Sequence, residues 1–169
     1  MKLERLVRKA VRLAATAAVL VALGSLLGCA AVGKGSPKGR AVTLNIAATS
    51  SLNNCGRAVP LVLHYRMIQV TDAAPLAGMK LGLLYGQERE MLDGALLWAG
   101  TDMSIEPGAT RQDPPVQIDP RARAVVVIGN FCKTRESCFY FSQPIPAKLK
   151  KNIVLDLTAD STCIGPTRH

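Results

Sequence analysis

The N-terminal segment constrains what the rest of this 169-residue chain can fold into. Met1–Arg12 carries Lys2, Arg5, Arg8, Lys9 and Arg12 against one acid, Glu4. Leu13–Leu27 holds no charge, and Gly28 then precedes Cys29. A basic start, an apolar run and a small residue are the layout of a secretory signal peptide. The run of 15 residues is shorter than the ~20 that a membrane-spanning helix needs. Residues 1–28 are therefore expected to be removed. The 141 that remain make one domain, folding in an oxidising compartment outside the cytoplasm.

The ending Leu26-Leu27-Gly28-Cys29 resembles a bacterial lipobox. In such signals a diacylglyceryl group is coupled to the cysteine thiol and the chain is cut just before it. The resemblance implies a mature protein that begins at Cys29 and carries a covalent lipid there, with no other cofactor. No twin-arginine pair is present, so the general secretion route is expected. Ala30 stands where an Asp commonly retains lipoproteins in the inner membrane, which fits the outer one.

Charge and cysteines follow from that cut. Five of the 21 basic residues and one of the 12 acids lie in residues 1–28, so the mature chain is left with +5 of the total +9. The remaining cations are scattered, apart from Lys148, Lys150 and Lys151. Such a cluster reads as a solvated turn, and no nucleic-acid partner is expected. Four cysteines are left for disulfides: Cys55, Cys132, Cys138 and Cys163. Of the three possible pairings, Cys132–Cys138 with Cys55–Cys163 is the expected one, because Lys133–Ser137 reads as a polar turn between two strands. No Cys-x2-Cys or Cys-x4-Cys knuckle is present, which argues against zinc.

The body of the chain reads as mainly β. Residues 29–40 form a tether rich in Gly, Lys and Pro, with an r.m.s. span of ~20 Å. From Ala41, Val42, Leu44 and Ile46 alternate with polar or small residues, the pattern of a half-buried strand. Thr49–Ala58 is a polar loop, and Leu61–Val70 a second strand with Leu61, Leu63, Tyr65 and Met67 on one face. Leu76, Met79, Lys80, Leu83 and Leu84 follow helical spacing, which predicts one helix over about 75–92. Further strands are expected at Met103–Ile105, before Pro120, at Ala124–Phe131, at Phe139–Phe141 and at Asn152–Ala159. Val125–Ile128 reads as a strand buried on both faces. Seven strand candidates separated by turn signals predict a single β-sandwich over 41–165.

Catalysis has little to stand on. Of two histidines, His169 is the last residue and His64 sits mid-strand. There is no Gly-x-Ser-x-Gly elbow, no His-Glu-x-x-His and no phosphate loop. Glu88 and Glu90 are two apart and do not share a helix face. Neither an enzyme, a metal site nor a small-molecule substrate is expected. What remains is binding through a loop set on a rigid scaffold. The alternative is a module for envelope glycan or peptidoglycan, which would need Trp98, Phe139, Tyr140 and Phe141 on the surface rather than in the core. An inhibitor or chaperone-like lipoprotein is a third class.

A family resemblance gives that reading a direction. The run Thr43-Leu44-Asn45-Ile46-Ala47-Ala48, then Leu52-Asn53, Gly56-Arg57-Ala58 and Pro60-Leu61-Val62-Leu63-His64-Tyr65-Arg66-Met67 resembles the opening of TssJ, the outer-membrane lipoprotein family of the type VI secretion system. Ile105-Glu106-Pro107-Gly108 resembles that family's short strand end, and Ala124–Phe131 its hydrophobic later strand. The resemblance covers about residues 41–158. Two features depart from it: Met67-Ile68-Gln69-Val70 stands where Tyr-Gln-Leu is common, and the Cys132–Cys138 turn is outside the pattern. It implies a transthyretin-like β-sandwich with one added helix, anchored in the outer membrane with its domain on the periplasmic side. The implied partner is the periplasmic part of TssM, an inner-membrane protein. The contact would come from the loop between the first two strands, here Ser50, Ser51, Leu52, Asn53, Asn54, Gly56 and Arg57. Replacing Cys29→Ser is expected to leave the fold intact while removing the protein from membrane fractions and abolishing its function in cells.

Overall fold

In the computed structural model, residues 40–80, 84–134, 136–148 and 151–168 are described. The signal segment, Cys29 and the tether up to residue 39 lie outside them, as does Leu83 of the expected helix. Ten strands are formed among the described residues: β1 (Ala41–Ala48), β2 (Leu63–Val70), β3 (Leu96–Ala99), β4 (Met103–Ile105), β5 (Thr110–Gln112), β6 (Val116–Gln117), β7 (Ala124–Gly129), β8 (Tyr140–Pro144), β9 (Ile153–Ala159) and β10 (Ile164–Pro166). One sheet has the order β10-β9-β1-β5, with β6 beside the other end of β1. The second has the order β3-β2-β7-β8, with β4 beside the start of β2.

Alternation sets the core of the first sheet. Val42, Leu44 and Ile46 of β1 are buried, and so are Leu155, Leu157 and Ala159 of β9. These two strands pair in parallel, with Leu44 beside Leu155 and Ile46 beside Leu157. Facing them across the sandwich, β2 contributes Leu63, Tyr65 and Met67. The next residues along β2 point the other way, toward the segment that follows it. That segment buries Leu76, Leu84 and Leu92 and is tied to β2 by an Arg66–Glu88 ion pair of 2.8 Å. β7 lies beside β2 and is therefore covered on both sides, and all six of its residues are buried.

The predicted helix over 75–92 is broken up. A 3-10 turn at Ala74–Leu76 is followed by one short helix, α1 (Glu88–Leu92), and a second 3-10 turn at Asp93–Ala95. Gly78 and Gly86, at φ +82° and +83°, turn the chain out of helical geometry. The spacing of Leu76, Met79 and Leu84 records which residues meet the sheet, not a continuous helix. β3, β5 and β10 were not expected. β2 starts two residues later than expected, at Leu63, and Leu61 is exposed.

The cysteines pair as Cys55–Cys132 and Cys138–Cys163, with Cα separations of 5.6 and 4.6 Å. This corrects the expected Cys132–Cys138 and Cys55–Cys163. The reason is register. The β7–β8 ladder pairs Val127 with Phe141 and Ile128 with Tyr140, so extending it places Cys138 opposite Asn130, not Cys132. The 3-10 turn at Glu136–Phe139 separates the two cysteines further.

Two polar contacts cross between the sheets. The Tyr65 hydroxyl donates to both Asp113 oxygens, at 2.9 and 3.0 Å, and Arg111 Nε donates to the same carboxylate at 2.6 Å. Burial, then the Asp113 carboxylate, pushes the Tyr65 phenol well above its ordinary pKa, so it stays a donor. Gln69 Nε2 donates to the Gln117 carbonyl, and Gln69 Oε1 accepts from the Asp119 N–H, both at 2.8 Å. Asp113→Ala leaves the buried Tyr65 hydroxyl without its acceptor and is expected to cost about 1–3 kcal/mol, read from urea unfolding. Asp113→Asn, which keeps an acceptor, should cost less.

Candidate functional site

β1 separates two poles of the sandwich. The chain enters at Arg40–Ala41, where the Asn152 side chain accepts from the Ala41 N–H at 3.1 Å. The β1–β2 loop leaves from the other end of that eight-residue strand, roughly 25 Å away. The β4–β5 turn, the start of the β7–β8 connection and the β9–β10 turn gather at the same pole as the loop. Gly108 N donates to Thr49 O, Thr49 N to Ala159 O and Asn53 N to Asp160 O, at 3.2, 2.9 and 3.2 Å.

The loop is built around two residues that face inward. Leu52 is fully buried, and the Leu61 N–H reaches back to its carbonyl at 3.2 Å. Asn53 is 4% exposed and joins three segments. Its Nδ2 donates to Val62 O at 3.1 Å, its Oδ1 accepts from Cys132 N at 2.9 Å, and its own N–H bonds the β9–β10 turn. Asn53 (φ 47°), Cys55 (57°) and Gly56 (76°) are left-handed, a conformation that Asn and Gly adopt most readily. Asn54 Oδ1 accepts from Gly56 N at 3.1 Å, and the Arg57 N–H donates to Asn54 O at 2.7 Å, which completes the turn. The disulfide from Cys55 to Cys132 then fixes the tip to the β7–β8 connection.

The expected contact residues therefore fall into two groups. Leu52 and Asn53 hold the loop; Ser50, Ser51, Gly56 and Arg57 are exposed, with Asn54 half-buried between them. The sequence reading missed Val59 and Leu61. They are 68% and 36% exposed and, with Val154, are the exposed large hydrophobic residues among those described. The signal was present in Ala58-Val59-Pro60-Leu61, apolar residues on either side of a proline that delays the strand.

On the second sheet a cluster of ionisable groups is spent on structure. Arg66 bonds Glu88 and Asp102, and its guanidinium lies 5.4 Å from the centre of the Tyr85 ring. Burial works against the Asp102 charge, but hydrogen bonds from Tyr85 and Arg66 outweigh it and hold the carboxyl below its ordinary value. Among the described residues no group of His, Cys, Asp or Glu could hold a metal. Phe139 is buried, and Trp98, Tyr140 and Phe141 are half-buried against the core.

The type VI secretion lipoprotein family, described by the names VasD, EvfM and TssJ, matches residues 40–160. The chain belongs to this family. Its members are structural lipoproteins of a secretion system, not enzymes. The fold is similar to that of TssJ1 from Pseudomonas aeruginosa, with a TM-score of 0.66 at 16% identity over 78% of this chain and 97% of that one. It is similar to Serratia marcescens Lip, a membrane-bound component of the type VI secretion system, with 0.64 at 18% over 76% and 98%. It also resembles a chain in the structure of the TssM C-terminal domain from EAEC, with 0.62 at 14% over 77% and 99%. At these identities the likeness is one of fold. No curated protein sequence matches. The two groups of loop residues are expected to behave differently on mutation. Asn53→Ala should cost about 2–4 kcal/mol by denaturant unfolding, from two lost partners and a strained φ. Ser50→Ala and Ser51→Ala should stay within about 0.5 kcal/mol.

Proposed function

We propose that this protein is the outer-membrane anchor of a type VI secretion membrane complex, held by lipid on Cys29 and binding the periplasmic domain of a TssM-like inner-membrane protein. The observation that carries this reading is the β1–β2 loop. It is locked from below by Leu52, Asn53 and a disulfide, and it presents Arg57, Val59 and Leu61 to solvent. A loop ordered in advance loses little conformational freedom on binding, which is a main cost of association. Exposed aliphatic residues supply apolar area at the centre of such a contact.

The topology supports the same reading. The chain comes in from its tether at one pole, and the loop stands about 25 Å away at the other. More than one acyl chain is needed for stable attachment, and a lipobox cysteine carries a diacylglyceryl group. A chain with this fold also occurs in the solved structure of the TssM C-terminal domain from EAEC.

The test is the affinity of the exported protein for the periplasmic domain of its cognate TssM-like protein, measured by calorimetry. The double variant Arg57→Glu with Val59→Asp changes only exposed side chains. It should keep the melting temperature within a few degrees while lowering affinity at least 30-fold. Wild-type affinity in that variant would remove the loop from the mechanism.

A further inference from the structure

The two disulfides share one short segment. Cys132 is bonded to Cys55 in the β1–β2 loop, and Cys138 to Cys163 in the β9–β10 turn. The chain between Cys132 and Cys138 is thus held at both ends. The loop and the turn are also tied directly, by Thr49 N to Ala159 O and Asn53 N to Asp160 O. Three connections that are far apart in sequence therefore act as one plate.

The plate has a charge pattern. Arg57 and Lys133 follow the cysteines of the Cys55–Cys132 bond by two residues and one residue, and both are exposed. Neither forms a salt bridge among the described residues. Val59 and Leu61 follow Arg57 in the β1–β2 segment and are exposed as well. The acid nearest on the turn, Asp160, is half-buried and caps the Thr162 and Cys163 N–H groups at 2.8 Å each. Glu106 is exposed in the β4–β5 turn, whose Gly108 N–H bonds Thr49 O.

We propose that the partner-binding surface crosses the Cys55–Cys132 bond onto Lys133, and that it fits a polypeptide patch that is apolar at its centre and acidic at its edge. This rests on the loop reading above. The apolar pair loses water on contact, and the two cations pair with carboxylates at the rim, where charges chiefly raise the association rate. A lipid surface is the poorer occupant, because this pole lies a full strand away from the end where the tether enters.

The test uses surface plasmon resonance with the exported protein and the cognate periplasmic domain, at low and at physiological salt. Arg57→Glu and Lys133→Glu should each lower the association rate about tenfold and flatten its salt dependence. Lys148→Glu, exposed on the connection to β9 at the entry pole, should behave as wild type. Thiol titration and a melting curve establish that each variant keeps its disulfides and fold. If Arg57→Glu weakens binding and Lys133→Glu does not, the extension is overturned and the loop reading stands. If neither changes binding, both are overturned. If Lys133→Glu instead abolishes adsorption to phosphatidylglycerol vesicles and leaves the polypeptide contact unchanged, the cation serves lipid and the proposal is overturned.

Discussion

The parallel pairing of β1 with β9 joins two core strands that lie more than a hundred residues apart. It cannot be made by a hairpin, since the register from Val42–Ile153 to Ala48–Ala159 runs the two strands in the same direction. Its consequences reach both poles. At the entry pole it brings Asn152 onto the Ala41 N–H. At the loop pole it delivers Asp160 and Cys163 to the place where the β1–β2 loop turns. Without that pairing, Asn53 would lose its partner on the turn, and the second disulfide would have no sulfur to meet.

The second sheet answers a different constraint. β7 has apolar neighbours on both faces because the segment after β2 lies over the outer one. The sheet is therefore sandwiched twice, by strands on one side and by short turns and α1 on the other. Glu88 is buried under this cover, and its charge is met by Arg66, which also reaches Asp102. Breaking a buried pair by removing one partner costs far more than the pair contributes, so α1 depends on β2 for more than apolar contact.

Much of this was legible in the sequence, and the failures have physical causes. Alternation marked β1 and β2, the segment Asn152–Ala159 was legible as a strand, and the unbroken run Val125–Ile128 marked the strand covered on both faces. Strands of three residues, such as β5 and β10, are too short to show a period. The helical spacing from Leu76 was real as a burial pattern, but glycines at positive φ broke the helix that it implied. In the loop, composition marked the right segment and could not divide it. Asn53 and Asn54 are identical in sequence, yet one is a buried hub and the other a turn former. The pairing of the cysteines depended on a ladder register that no local pattern encodes.

The arrangement of the sulfurs has a consequence for how the protein is made. Cys132 and Cys138 are near neighbours in sequence, whereas Cys132 and Cys55 are 77 residues apart. In a disordered chain the near pair meets more easily, by about 2 kcal/mol of loop-closure entropy. The bond favoured before folding is thus not the native one. Oxidation that runs ahead of sandwich assembly traps the wrong isomer, and the native bonds are selected only once the strands have set the distances. Folding from the reduced state, the chain acts as the template for its own cross-links, because the native pairs are set by strand register and not by nearness in sequence.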